Sequence, residues 1–172
     1  MSGMPVIGEC TAADLEVLTR VWSLPGAVHE AHWRAQVDGS TTFLVAWQGS
    51  VPVGSAVIRW SGFPEANARR VFPGCVEVCH LHVREGYRGR GIGSALVRAS
   101  ESRARAHGVP QIGVGVSDEN PRAAALYQRL GYRPMGVVDL SEYDWHDDAG
   151  VVHHATERNE AWVKMLPASA TE

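Results

Sequence analysis

Apolar positions along this chain change period several times, and each change predicts an element. Thr42 to Trp47 and Val51 to Trp60 are runs rich in β-branched and aromatic residues, and Gln48-Gly49-Ser50 between them has the composition of a hairpin turn. Two antiparallel strands are expected. Val76 to Val83 is a third long strand. At Ile92, Leu96 and Ala99 the period lengthens to that of a helix. It returns to two at Gln111 to Val116, where Ile112, Val114 and Val116 alternate with glycines. That strand has one bulky face and one bare face, and the bare one lets another group approach the backbone closely.

Toward the N-terminus, Pro5 to Glu9 fits a short strand. Thr11, with Asp14 three residues later, marks a helix start that would turn Leu15, Leu18 and Val21 or Trp22 inward. Leu24-Pro25-Gly26 stops it. A second helix is expected over Ala27 to Val37, with Val28, His32 or Trp33, and Gln36 at helical spacing. Ser61 to Gly74 holds two prolines and the basic pair Arg69-Arg70 without a clean period, so it reads as a loop. Asn120-Pro121 supplies a cap and then proline in the first helical position, and Gly131 closes a short helix over Pro121 to Leu130. Arg133 to Asp139 and Glu160 to Leu166 read as final strands, joined by a polar, histidine-bearing excursion expected to be a solvated loop. This order predicts an α/β (α+β) protein with a single mixed, mostly antiparallel β-sheet flanked by helices.

Composition narrows the function. A chain of 172 residues, 45% hydrophobic and 20% charged, is expected to fold as one domain over 1–172. A net charge of −3 offers no positive field for phosphate backbones, which argues against nucleic acid. Cys10, Cys75 and Cys79 match no zinc or redox spacing, so a reducing, cytoplasmic setting is expected. Met1 to Gly8 lacks the character of a signal peptide, and no stretch approaches the roughly 18 apolar residues of a membrane span. The tails at Met1 to Met4 and Pro167 to Glu172 are expected to fray. His146, His153 and His154 stand among Asp144, Asp147 and Asp148, but their spacing supports no metal site.

The richest segment is Arg88-Gly89-Arg90-Gly91-Ile92-Gly93, which leads from strand to helix. It aims unpaired N–H groups and the positive end of a helix dipole at one point, an arrangement that binds an anion. Glycines permit positive φ and close approach of a phosphate. A P-loop is excluded because no lysine lies in the turn; Lys164 is far away. A dinucleotide fingerprint is excluded because Ser94 stands where its third glycine belongs. Arg88, Gly91 and Gly93 instead meet the pattern Arg or Gln, two residues, Gly, one residue, Gly or Ala. With Leu81-His82-Val83 before it, Ser94-Ala95-Leu96-Val97 after it, and Asn120, Tyr127 and Gly131-Tyr132 further on, the chain resembles the GNAT superfamily of N-acetyltransferases.

That resemblance implies acetyl-CoA as acyl donor, with its pyrophosphate on Arg88, Gly89, Arg90, Gly91, Ile92, Gly93 and Ser94. It implies pantetheine contacts from Asn120 and along Leu81, His82 and Val83, whose backbone groups would bind the amides like a neighbouring strand. It also places Tyr127 as the acid that protonates the departing thiolate. Glu77 lies eleven residues before Arg88, where some members of the superfamily carry a base. Its neighbours Val76 and Val78 point to the opposite face, so burial would raise its pKa toward that task; equally, it would pair with an arginine in the sheet. His80 and His82 are rival bases, expected on the face opposite Glu77 and Cys79. The acceptor pocket is expected between His29, Glu30, His32 and Trp33 and the stretch Asp139 to Glu160, whose acidic and aromatic character suits a small-molecule primary amine. A protein amine, or a non-catalytic acyl-CoA-binding role, stands as the alternative. A homodimer is left open alongside a monomer.

Overall fold

A computed structural model describes residues 3–167; of the two tails expected to fray, residues 1–2 and 168–172 lie outside the described residues. Strands β1 (Val6–Glu9), β2 (Thr41–Gln48), β3 (Val51–Arg59), β4 (Cys75–Val83), β5 (Gln111–Val116), β6 (Arg133–His146) and β7 (Val152–Met165) form one sheet in the order β1-β2-β3-β4-β5-β7-β6. Only β4 and β5 run parallel, because the connection between them is a crossover helix. The mixed, mostly antiparallel sheet expected from the sequence is present.

Helices cover both faces, as two-faced apolar strands require. On one face, α4 (Ile92–Ala106) and α5 (Pro121–Arg129) bury Ile92, Leu96, Val97 and Tyr127 against Leu44, Ile58, Val76, Val78, Ile112 and Val114. On the other face the cover comes in two separate patches. Helices α1 (Ala12–Val21) and α2 (Val28–Val37) close over Phe43, Val45 and Val57 with Leu18 and Trp22. A second patch joins Phe63, Ala68, Phe72, Cys75, Ala161 and Val163. Thr11 and Asp14 form a reciprocal cap on α1, bonding each other's backbone N–H at 3.1 and 3.0 Å. Trp22 takes the inward position and Val21 stays exposed.

Two expectations need correction. Ser61 to Gly74 is not all loop: it contains α3 (Ala66–Val71), started by the Glu65 side chain accepting from the Ala68 N–H at 3.1 Å. Six residues are too few to display a period, and Phe63 and Phe72 on its flanks anchor it to the sheet. The excursion after Asp139 is likewise not a solvated loop. It forms the outer arms of β6 and β7, paired continuously from Val138↔Glu160 to His146↔Val152. Asp147 holds the turn by accepting N–H bonds from Ala149 and Val151 at 3.0 and 2.9 Å. Both faces of these arms are largely polar, so ladder bonds form there without the hydrophobic alternation that would announce them. The arms arch far enough for the hairpin tip to touch the α1–α2 connection, where a Cβ on Gly26 would meet the His146 carbonyl at 3.5 Å.

Candidate active site

The site begins with a defect in β4. Val57 faces Cys79 and Ser55 faces His82, so the single residue Ala56 stands opposite both His80 and Leu81. This is a bulge, and His80 takes the left-handed conformation, φ 51°, that makes room for it. A non-glycine residue there stores strain, of order 1–2 kcal/mol. The bulge reverses the facing of everything downstream. Leu81 packs in the α4/α5 core, while the His80 ring lies 4.7 Å from His32 and the His82 ring 5.1 Å from Trp22. The expectation that His80 and His82 oppose Glu77 and Cys79 is therefore wrong: a period of two holds only while the ladder is regular.

Just before the bulge β4 also loses a neighbour. Parallel pairing with β5 ends at Val78↔Val114, and Gly115 and Val116 continue with β7 alone. The Arg84 N–H donates to Val53 at 2.9 Å, so by the alternation of an antiparallel ladder the Leu81 and Val83 backbone groups point away from β3, into the opening. The Val83 carbonyl there accepts from Arg88 Nε at 3.2 Å.

This opening leads to the start of α4. Gly89 and Gly91 have φ of 75° and 80°, and a Cβ on either would meet nothing within 4 Å. Gly91 is the N-cap and no side chain bonds the first-turn N–H groups. By contrast α5 is closed by Asn120, whose side chain accepts from the Ala123 N–H at 3.1 Å, followed by proline. Ile92, buried, anchors the α4 turn, and Gly93 lies against Leu81, Val83 and Leu126. Arg88 and Arg90 are exposed, Arg90 resting over the Tyr87 ring at 5.3 Å. Donors, dipole and flanking charge converge on one place, with the physics of an anion cradle.

Glu77 sits on the opposite face, just before the seam opens and between the two patches of helical cover. It is 4% exposed and its Oε1 accepts from Arg59 Nη1 at 2.9 Å. Burial outweighs the Arg59 charge and pushes its carboxyl up to about 8, with Asp139 and Glu157 adding repulsion. Glu77 is thus paired with a sheet arginine, one of its two expected readings, while burial raises its carboxyl. Its Oε2 is buried without a partner. Tyr127 comes from α5 to the same seam, near enough that Cys79 and Glu77 add to burial in holding its hydroxyl well above the usual phenol range. Burial likewise pushes the Cys79 thiol up to about 12, which leaves it protonated and a poor nucleophile.

The bare face of β5 and the acceptor wall are placed differently from expectation. The bare face of β5 is filled from within: a Cβ on Gly113 would overlap the Phe63 ring, and one on Gly115 would meet Asn159 at 3.3 Å. His29 is buried behind the acceptor side with Nε2 donating to the Trp22 carbonyl at 2.7 Å. The cavity in front of it, about 120 Å³, is lined by Leu24, Val28, His32, Ser55, His80 and His82, so the expected wall of His29, Glu30, His32 and Trp33 contributes only His32. Desolvation lowers the pKa of His32 to about 3 and also lowers His80 and His82, leaving three neutral imidazoles at pH 7. At the hairpin, His153 pairs with Asp147 at 2.8 Å and His154 with Asp144 at 2.7 Å; among the described residues no three metal-ligating side chains come together. Arg59 and Phe63 went unnoticed in the sequence, because both matter only through strands distant in the chain.

The sequence pattern of the acetyltransferase (GNAT) family matches residues 11–132. Among solved structures, an N-acetyltransferase from Staphylococcus aureus Mu50 superimposes with a TM-score of 0.68 at 15% identity, over 96% of this chain and 100% of that one. A GNAT superfamily phosphinothricin acetyltransferase from Sinorhizobium meliloti, in complex with AcCoA, gives 0.66 at 20% identity over 99% and 93%. A putative acetyltransferase from Salmonella typhimurium, with its cofactor acetyl-CoA, gives 0.64 at 17% over 99% and 98%. Identities this low carry the fold alone.

Proposed function

The chain belongs to the acetyltransferase (GNAT) family, and from that premise we propose that its residues 1–172 act as one N-acetyltransferase domain that moves an acetyl group from acetyl-CoA to a primary amine of a small molecule. One observation carries this reading. The unpaired half of β4 runs directly into the uncapped start of α4, and Glu77 and Tyr127 lie on either side of the seam, near enough for the Glu77 charge to raise the Tyr127 hydroxyl.

The residues fit such a donor. First-turn N–H groups of Ile92, Gly93 and Ser94, with Gly89, Gly91, Arg88 and Arg90 around them, would hold the pyrophosphate, and the Leu81 and Val83 backbone edge with His82 between them would hold the amide-bearing arm. Asn120 lies at the mouth of α5, where its cap bond to Ala123 orients it. Bound acetyl-CoA supplies an activated thioester carbonyl. Glu77 takes a proton from the incoming ammonium, directly or through water, and unpaired β4 N–H groups stabilise negative charge developing on the carbonyl oxygen. Tyr127 keeps its proton until the thiolate leaves and then delivers it. Three free thiols, Cys10, Cys75 and Cys79, suit a reducing, cytoplasmic compartment.

Continuous assay of thiol release from acetyl-CoA across a panel of small amines tests the reading. Turnover that rises with pH through about 8, as Glu77 loses its proton, is the expected result. Tight CoA binding with no turnover on any amine would favour a non-catalytic acyl-CoA-binding role instead.

A further inference from the structure

The histidine cavity borders the β4 side of the seam, and a larger one borders the β5 side. It holds about 450 Å³ and is lined by, among others, Asp118 and Glu119 from the turn after β5, Glu157 and Arg158 from the outer arm of β7, and Tyr143 from β6. Three carboxylates stand there against one guanidinium, and among the described residues none of the four is in an ion pair. A lining with this surplus of negative charge favours a cation, and the exposed Tyr143 ring offers it a π face.

A row of unpaired polar atoms leads from Glu77 to this cavity. Glu77 is level with Gly113 on β5, and Gly113 with Val163 on β7. β7 keeps its register against β5 from Val163 to Glu160 and against β6 from Glu160 past Glu157, so Asn159 and Glu157 project from the same face as Glu77. Glu77, 4% exposed, has no partner for Oε2, and Asn159, packed on Gly115, has none for Oδ1. Glu157 ends the row in the cavity wall. Buried polar atoms left unpaired in a line mark the path of a ligand that carries hydrogen-bonding groups. The charge on this path is not that of Glu77, whose carboxyl, pushed up to about 8 by burial and further by Asp139 and Glu157, largely keeps its proton at neutral pH. Nor do the nearby arginines cancel the cavity's charge. Arg59 bonds Glu77, Arg69 bonds the Phe63 and Pro64 carbonyls, and neither lines the cavity.

Resting on the proposed small-amine acetyltransferase activity, we infer that the acceptor is an aliphatic di- or polyamine: one amino group is acetylated beside Glu77, and a second, as an ammonium, sits in the cavity among Asp118, Glu119, Glu157 and the Tyr143 ring. A monoamine can leave its ammonium in the cavity or bring its amine to the thioester, but not both. A diamine fills the two places at once, with one end charged and the other free to lose its proton.

Matched acceptors test this: each α,ω-diamine from propane to octane against the alkylamine and the amino alcohol of the same chain length. At low salt the unaltered protein is expected to use at least one diamine with kcat/KM about tenfold or more above both partners, beyond the factor of about two that equivalent ends supply. High salt should shrink that preference and leave the monoamines nearly unchanged. The double variant Asp118→Asn, Glu119→Gln, altered only at exposed positions, should raise KM for the preferred diamine about three- to tenfold, the loss of two exposed charge contacts, and KM for its partners less than about twofold. Equal use of diamines and monoamines by the unaltered protein overturns the inference while leaving amine acetylation standing. So does a preference that survives the variant, or a KM that rises equally for all three acceptors, because the second charge then lies elsewhere. No turnover of any acceptor overturns the small-amine reading and this inference with it. The comparison within the unaltered protein needs no variant to fold.

Discussion

From Cys75 to Val78, β4 is bonded to β5, with Glu77 and Val78 held by β3 as well; from Cys79 to Val83 it keeps β3 and loses β5. The first half has regular alternation, and its Val76 and Val78 are core. The second half carries a bulge, a left-handed histidine and backbone groups that face no strand. One strand thus serves as a clamp over four residues and as a docking edge over five. The difference between them is not plain in composition, because both halves are apolar runs with polar interruptions, Glu77 in the first and His80 and His82 in the second. It lies in what the neighbouring strand does: β5 turns away toward β7, and nothing local in β4 records it.

Substitutions separate the halves by what they damage. The largest effect is expected at the boundary, where Glu77→Gln should lower kcat/KM about 10²- to 10⁴-fold while the CoA dissociation constant, read by calorimetry, changes less than about threefold. In the closed half, Gly113→Val would drive a side chain into Phe63; overpacking of this kind costs about 1–3 kcal/mol, or about 2–4 °C of melting temperature per kcal/mol. CoA affinity of the folded protein should hold, and a loss of affinity without loss of stability would break the division. In the open half, Gly91→Ala should act the other way. Its φ of 80° penalises a Cβ by about 1–2 kcal/mol, which is expected to weaken CoA binding about tenfold, read by the same calorimetry.

The smallest effect is on stability against pH. Because the folded Glu77 carboxyl titrates near 8 rather than at its ordinary 4.5, the native state holds the proton more tightly than the unfolded chain between those values. The stability this confers is present below pH 4.5 and is lost as pH rises toward 8. The melting temperature of the unaltered protein should therefore fall over that window by several degrees relative to Glu77→Gln. Parallel curves for the two proteins would show that Glu77 titrates normally.

How much of this was legible in the sequence follows from which interactions are local. The hairpin of β2 and β3, the Thr11–Asp14 cap, the glycine turn and the Asn120-Pro121 start are each written within a few residues, and they fold as expected. Helix α3 was missed because one turn and a half cannot show a period. The inner parts of β6 and β7 were legible as strands, but their outer arms were missed because they lack an apolar face. At the site, Glu77 was visible as a carboxylate on an apolar strand, but its arginine was not, since Arg59 meets it only through strand register. The bulge at His80 was invisible for the same reason, and it moved two histidines to the other side of the sheet.

Amide hydrogen exchange with and without CoA tests the two-halves account most directly, because it reads the backbone groups on which the account rests. CoA is expected to slow exchange at Leu81–Val83 and at Gly89–Ser94, and to leave Cys75–Val78 and the capped start of α5 at Pro121–Ala123 unchanged. Slowing confined to other segments, or no slowing at Gly89–Ser94 with CoA bound, would contradict the assignment of the open half of β4 and the start of α4 as the acyl-CoA site.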